Sequence, residues 1–178
     1  MPNYHRLKFK GGCYFFTLNL LNRRSTLLTD QIDLLRNSFS QIKRKRAFHI
    51  DAIVILPDHL HCIWTLPQGD ADYKTRWALI KSEFSRHTPA IEKRSVSRRK
   101  RGERGIWQRR FWEHWIRSDD DYARHIDYIH WNPVKHQHVA KVKDWPYSSF
   151  HSYVEKGLLT QDWLGDVNED RSMNWGEK

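Results

Sequence analysis

The sequence predicts an α+β fold, a ferredoxin-like β-α-β-β-α-β sandwich with an antiparallel sheet and one additional helix after the last strand. Three observations predict it. Apolar residues at helical spacing alternate with runs of aromatic and β-branched residues, a Pro57-Asp58 turn joins two of those runs, and a capped helical pattern follows the last one. The 178 residues, 39% of them hydrophobic, suffice for one domain with a buried core.

The first strand is the run Cys13 to Leu20 after Gly11-Gly12, rich in β-favouring side chains. From Thr29-Asp30 onward, Ile32, Leu35, Phe39 and Ile42 fall on one helical face, and Lys43 to Arg46 load the last turn with cations. His49 to Leu56 and His59 to Thr65 read as a hairpin. Tyr73, Trp77, Ile80 and Phe84 mark a second amphipathic helix to about His87. Residues 90–110 then hold nine Lys or Arg against Glu92 and Glu103, with Gly102 and Gly105, which predicts a mobile basic loop over about 90–106. Phe111 to Arg117 resembles a fourth strand. Ser118 with Asp121 has the pattern of a helix start, and Pro133 places the end of that helix near Trp131. The expected organisation is one domain over 1–150 and a tail over 151–178, the latter regulatory if Trp163, Trp175 and the acids Asp162, Asp166, Glu169 and Asp170 fold over a basic groove.

With 31 Lys plus Arg against 21 Asp plus Glu, the net charge of +10 favours polyanionic partners. Cys13 and Cys62 alone exclude a disulfide framework or a four-cysteine zinc site, and neither an N-terminal signal stretch nor a run of membrane-spanning length occurs. A cytoplasmic protein is expected.

Chemistry concentrates in two places. Side chains alternate along a strand, so His59 and His61 project from one face and can converge on one ion. On the third helix, Tyr128 and Asn132 are four apart and share a face. Each has a plainer explanation, as hydrogen-bonded edge-strand histidines, a packing tyrosine and an Asn that merely precedes proline.

Together, an H-x-H strand and a Y-x-x-x-N helix in a basic chain resemble the single-tyrosine HUH endonucleases, and more closely the REP-associated tyrosine transposases of bacteria, which are of the insertion-sequence type. The likeness runs through Tyr4-His5-Arg6, Gly11-Gly12, Asn22-Arg23-Arg24, Leu56 to Trp64, Trp107 to His114 and Asp127 to Lys135. It implies Tyr128 as nucleophile, His59, His61 and Asn132 as ligands of Mg²⁺ or Mn²⁺, and cleavage and rejoining of single-stranded DNA through a 5′-phosphotyrosine. It further implies a substrate folded as a REP-type palindromic hairpin with a short GTAG-type tetranucleotide at its foot, and a monomer rather than a dimer. The base for Tyr128 stays open among His130, His125 and metal-bound water. Trp107, Arg109, Arg110, Trp112 and the run Arg98-Arg99-Lys100-Arg101 combine cations with stacking surfaces, as single-strand binding requires, although strand packing and a solvated loop explain them equally well. The rival readings are a regulatory protein that binds hairpin DNA or RNA without cutting, and a zinc hydrolase using His59, His61 and a third histidine such as His114.

Overall fold

The computed structural model describes residues 8–90, 94–164 and 175–177. Tyr4, His5 and Arg6, like the tail acids Asp166, Glu169 and Asp170, lie outside the described residues.

Four strands form one sheet in the order β2-β3-β1-β4, every neighbouring pair antiparallel. They are β1 (Cys13–Asn19), β2 (His49–Ile55), β3 (His59–Thr65) and β4 (Trp112–Trp115). The period-2 alternation of β1 and β3 divides their residues between two buried faces. Tyr14, Phe16 and Leu18, with Leu60, Cys62 and Trp64, meet helices α2 (Ile32–Lys45) and α3 (Tyr73–His87), whose Trp77 stacks on Trp64 at 4.0 Å. Phe15 and Ile63, with Ala52 and Val54 of β2, meet Ile126 and Ile129 of α5 (Asp119–Lys135) on the opposite face. Further along that second face the register pairs Thr17 with His61 and Asn19 with His59. One end of the α5 face is therefore apolar, and the other carries four buried polar side chains.

The α+β class and antiparallel sheet agree with expectation, and four local features differ. The first helix is two pieces, α1 (Leu27–Asp30) and α2, because Gln31 leaves helical geometry at φ −113°, ψ 37°. The basic loop contains a short helix, α4 (Val96–Lys100), with Ser95 as its cap. Its charges are engaged locally: Glu103 pairs with Arg98 at 3.3 Å and Arg109 at 2.9 Å. Arg104 caps the end of α3, donating to the carbonyls of Ser85, Thr88 (2.6 Å) and Pro89 (2.9 Å). These contacts tie Arg98, Glu103, Arg104 and Arg109 of the basic stretch to one another and to the end of α3.

Helix α5 opens as predicted, with Ser118 Oγ accepting from Asp121 N–H at 3.1 Å and three aspartates in the first turn. It does not stop near Trp131. It continues through Pro133 to Lys135, and His136 N–H closes on the Asn132 carbonyl at 3.0 Å. Proline removes one hydrogen bond to the preceding turn, and burial of Ile129, Asn132 and Pro133 against the sheet offsets that loss. Beyond it, residues 147–149 bond to the edge of β2 through Ile55 N–H to Tyr147 O (2.9 Å) and Ser149 N–H to Ile53 O (2.8 Å). Helix α6 (Phe150–Glu155) follows, with Phe150 fully buried, so the segment expected as the start of the tail is packed on the domain. Among the described residues no helix is long and apolar enough to cross a membrane.

Candidate active site

The polar end of the α5 face brings His59, His61, Tyr128 and Asn132 together. His61 is fully buried, with its ring 5.1 Å from that of His59 and 5.2 Å from that of Tyr128. Each imidazole has a fixed tautomer. Asp58 Oδ1 lies 2.7 Å from His59 Nδ1 and, as a carboxylate, accepts its proton. Thr17 Oγ1 donates to the Trp175 carbonyl (2.5 Å), so its contact with His61 Nδ1 at 2.8 Å is one in which it accepts. Both Nε2 atoms thus turn lone pairs into the site. Burial pushes the His61 imidazole down to about 3 and lowers His59, against the opposing hydrogen bond from Asp58, so both rings are neutral near pH 7.

These lone pairs have no donor to meet. His59 Nε2, His61 Nε2 and Asn132 Oδ1 are all buried without a hydrogen-bond partner. These unpartnered acceptors, two imidazole nitrogens and one amide oxygen at the same end of the α5 face, have the chemistry of ligands for a divalent cation. His136 joins them: its ring lies 5.0 Å from His59, and ligand atoms of His59, His136 and Glu177 lie within 4.8 Å of one another.

Glu177 fills the centre of this cluster. Its carboxylate accepts from the Tyr128 hydroxyl, from Asn132 Nδ2 at 3.1 Å and from Lys135 Nζ at 3.0 Å, and lies 3.3 Å from both His61 Nε2 and His136 Nε2. Burial opposes its ionisation, but the contact with His136 and the hydrogen bond from Tyr128 prevail and hold the carboxyl well below the ordinary range. Tyr128 moves the opposite way: burial first, and then the adjoining carboxylate, raise its phenol above the usual value. Lys135 Nζ stands 3.1 Å from the Tyr128 oxygen and 4.7 Å from its ring centre, where a cation favours the phenolate.

The backbone of the same segment is held too. Asn19 Nδ2 donates to the Gly176 carbonyl at 2.8 Å, and Arg23, itself 3.2 Å from Asp58, donates to the Glu177 carbonyl at 3.1 Å. His136 is four residues beyond Asn132, so the spacing 128, 132, 136 carries the signal that finds it. Lys135 is seven beyond Tyr128, two turns along the same face. Nothing local in the sequence marks Glu177.

The expected base candidates each have a ring nitrogen engaged with another group. His130 Nε2 is 3.0 Å from Ser149 Oγ and its ring packs on Phe150 and Tyr153, while His125 Nδ1 is 2.7 Å from the Asp121 carbonyl. Of the residues expected to bind DNA, Arg99, Lys100, Arg101, Arg109 and Arg110 are exposed and Arg98 is half-buried. Trp112 is 46% exposed, with Gly176 against its side chain. Trp107 is 6% exposed and packs on Phe84, which makes it a core residue and removes it from the stacking surface. The basic loop reaches the polar end of β1, where Gln108 N–H bonds to the Asn19 carbonyl at 2.9 Å.

No protein-family model matches the chain. It is 50% identical over 169 residues to the REP-associated tyrosine transposase of Escherichia coli K12, covering 95% of this chain and 94% of that protein. A Haemophilus influenzae relative under the same family name is 48% identical over 167 residues, 93% of this chain and 95% of its own. A solved structure of a REP-associated tyrosine transposase bound to a REP hairpin matches with a TM-score of 0.84 at 48% identity, covering all of this chain and 98% of that one. With that extent of identity over nearly its whole length, the chain belongs to the REP-associated tyrosine transposases.

Proposed function

We propose that this transposase cleaves and rejoins single-stranded DNA at the foot of REP-type hairpins, with Tyr128 as the nucleophile. The observation that carries the proposal is the set of orphaned acceptors on His59, His61 and Asn132, buried beside a tyrosine whose oxygen meets Lys135. The hairpin in the related solved structure supports the substrate class, and the net charge of +10 suits it.

His59 Nε2, His61 Nε2 and Asn132 Oδ1 would hold Mg²⁺ or Mn²⁺, with His136 within reach as a further ligand. When bound, such an ion supplies Lewis-acid polarisation of the scissile phosphate. Tyr128 attacks phosphorus in line, its proton passing to water while Lys135 stabilises the phenolate. The new bond joins the Tyr128 oxygen to phosphorus, the bond to the 3′-oxygen breaks, and that oxygen takes up a proton to leave as a 3′-OH. Attack of a 3′-OH on the 5′-phosphotyrosine reverses each step and reseals the strand without ATP. One tyrosine per chain suits successive cuts by a monomer. Exposed Arg99, Lys100, Arg101, Arg109 and Arg110 pair with the DNA backbone, and Trp112 offers a stacking surface.

Glu177 stands where the scissile phosphate must go, so the tail restrains the enzyme and DNA has to displace it. Tyr128→Phe tests the central assignment: the variant binds a labelled hairpin within about twofold of wild type, yet forms no covalent adduct. Equal cleavage by variant and wild type would remove Tyr128 as nucleophile. The rival reading, in which hairpin binding is the whole function, instead predicts that neither protein cleaves or forms an adduct.

A further inference from the structure

The tail places two chemically distinct groups in the site: a carboxylate at Tyr128 and, two residues earlier, a bicyclic aromatic ring. The Trp175 indole stacks on His125 with ring centres 3.9 Å apart and planes 24° from parallel. It meets Tyr128 at 4.7 Å and the edge of Phe15 at 5.6 Å. Between the two groups, the carbonyls of Trp175, Gly176 and Glu177 accept from Thr17, Asn19 and Arg23. An anion, a line of accepted hydrogen bonds and a stacked ring are what a nucleotide presents to a single-strand site.

The platform under the indole is built in advance. His125 Nδ1 is fixed on the Asp121 carbonyl at 2.7 Å, and His114 Nε2 on Asp121 Oδ2 at 2.8 Å. The two imidazoles lie 13° from parallel with centres 4.8 Å apart. Ligand-type atoms of His114, Asp121 and His125 lie within 4.8 Å of one another, but these hydrogen bonds engage them in orienting rings, which suits stacking better than ion binding. Buried and stacked, His125 acts as a flat apolar surface three residues before the nucleophile.

We propose that His125, oriented by Asp121 and flanked by His114, is the stacking subsite for the nucleobase adjoining the scissile phosphate, and that Trp175 occupies it as a stand-in for a purine. The proposal rests on the reading that Tyr128 attacks that phosphate. The indole matches the two-ring outline of adenine or guanine, so the slot favours a purine over a pyrimidine.

The test uses the full chain carrying Tyr128→Phe and Trp175→Ala, which binds without cutting and leaves the slot accessible. The probe is a DNA hairpin with a four-nucleotide single-stranded foot, bearing 2-aminopurine at each foot position in turn. At one position fluorescence is quenched on binding. Adding His125→Ala abolishes that quench and weakens binding about 5- to 150-fold, the span for loss of one base–aromatic stack. His125→Phe retains both, which separates stacking from a packing role. With an abasic residue at the same position, the proteins with and without His125→Ala bind alike. The proposal is overturned if no quench depends on His125, or if His125→Ala weakens binding to the abasic hairpin as much as to the intact one. Cleavage by the Tyr128→Phe protein would overturn the nucleophile assignment instead, a result separable from the fluorescence.

Discussion

Replacing Glu177 by Gln should raise cleavage, although the residue sits in the middle of the catalytic cluster. The substitution keeps the shape of the side chain and removes the charge that Lys135 Nζ meets at 3.0 Å and that the Tyr128 hydroxyl donates to. A charge-assisted hydrogen bond contributes about 1.5–3 kcal/mol, against about 0.5–1.5 kcal/mol for a neutral one. Loss of the charge across two such contacts shifts the closed tail by about 2–3 kcal/mol toward release. That is a change of roughly 30- to 150-fold in the ratio of open to closed chains. Ordering the three tail residues already costs about 1–2 kcal/mol each, which keeps the net closure small enough for such a shift to show. The assay is the yield of covalent protein–DNA adduct from a labelled hairpin at saturating divalent ion. A rise of about tenfold or more supports the reasoning. No change would mean that Glu177 does not compete with DNA, and a fall would mean that it acts in the reaction as a ligand alongside His59 and His136.

Three further outcomes follow from the same geometry. Chelation of divalent ions, or His61→Ala, should reduce cleavage at least about 100-fold while hairpin binding measured by gel shift falls much less, because the acceptors would hold the ion that polarises the phosphate and the exposed arginines act on the duplex. His130 is held neutral by burial, its pKa pushed down to about 3. The unfolded chain, with a histidine near 6.5, therefore binds the proton more readily. The stability this residue contributes is intact above about pH 6.5 and falls by up to about 1.4 kcal/mol per unit as pH drops toward 3. In urea titrations between pH 4 and 6, His130→Gln should lessen that acid sensitivity by about one proton, and an unchanged slope would refute it. Arg104→Ala should destabilise the fold by about 1–3 kcal/mol, since it leaves the Ser85, Thr88 and Pro89 carbonyls without their guanidinium. A DNA-binding defect with unaltered stability would assign Arg104 to the interface instead.

The strands and the two amphipathic helices were legible because their residues obey one periodicity each, and because burial enforces it. In β1 and β3 the alternation also says which residues share the face of His59 and His61, so half of the site could be read without coordinates. The errors arise where a local rule met a tertiary one. Pro133 is a fair reason to end a helix, but the packing of Ile129 and Asn132 carries α5 one turn further. That turn matters, because it delivers Lys135 and His136 to the cluster. Trp107 shows the same limit: an aromatic flanked by arginines resembles a stacking residue until the bridge to Leu20 turns it into the core.

Glu177 was out of reach for a different reason. Its neighbours Asn132, His61 and Tyr128 come from two elements far apart in sequence, and no spacing rule links them to residue 177. What the sequence does carry is the complementary half of the interaction: the cations Lys135 and Arg23 at this site favour an anion beside them. In this structure that anion is the chain's own carboxylate, which adds to burial, the larger cause, in raising the Tyr128 phenol. Displacement by a phosphate then does two things at once. It removes the carboxylate to which the Tyr128 hydroxyl donates, and it releases Lys135 from its pairing with that carboxylate. On the proposed mechanism Tyr128 would then become reactive only once substrate has entered, which would couple DNA binding to activation.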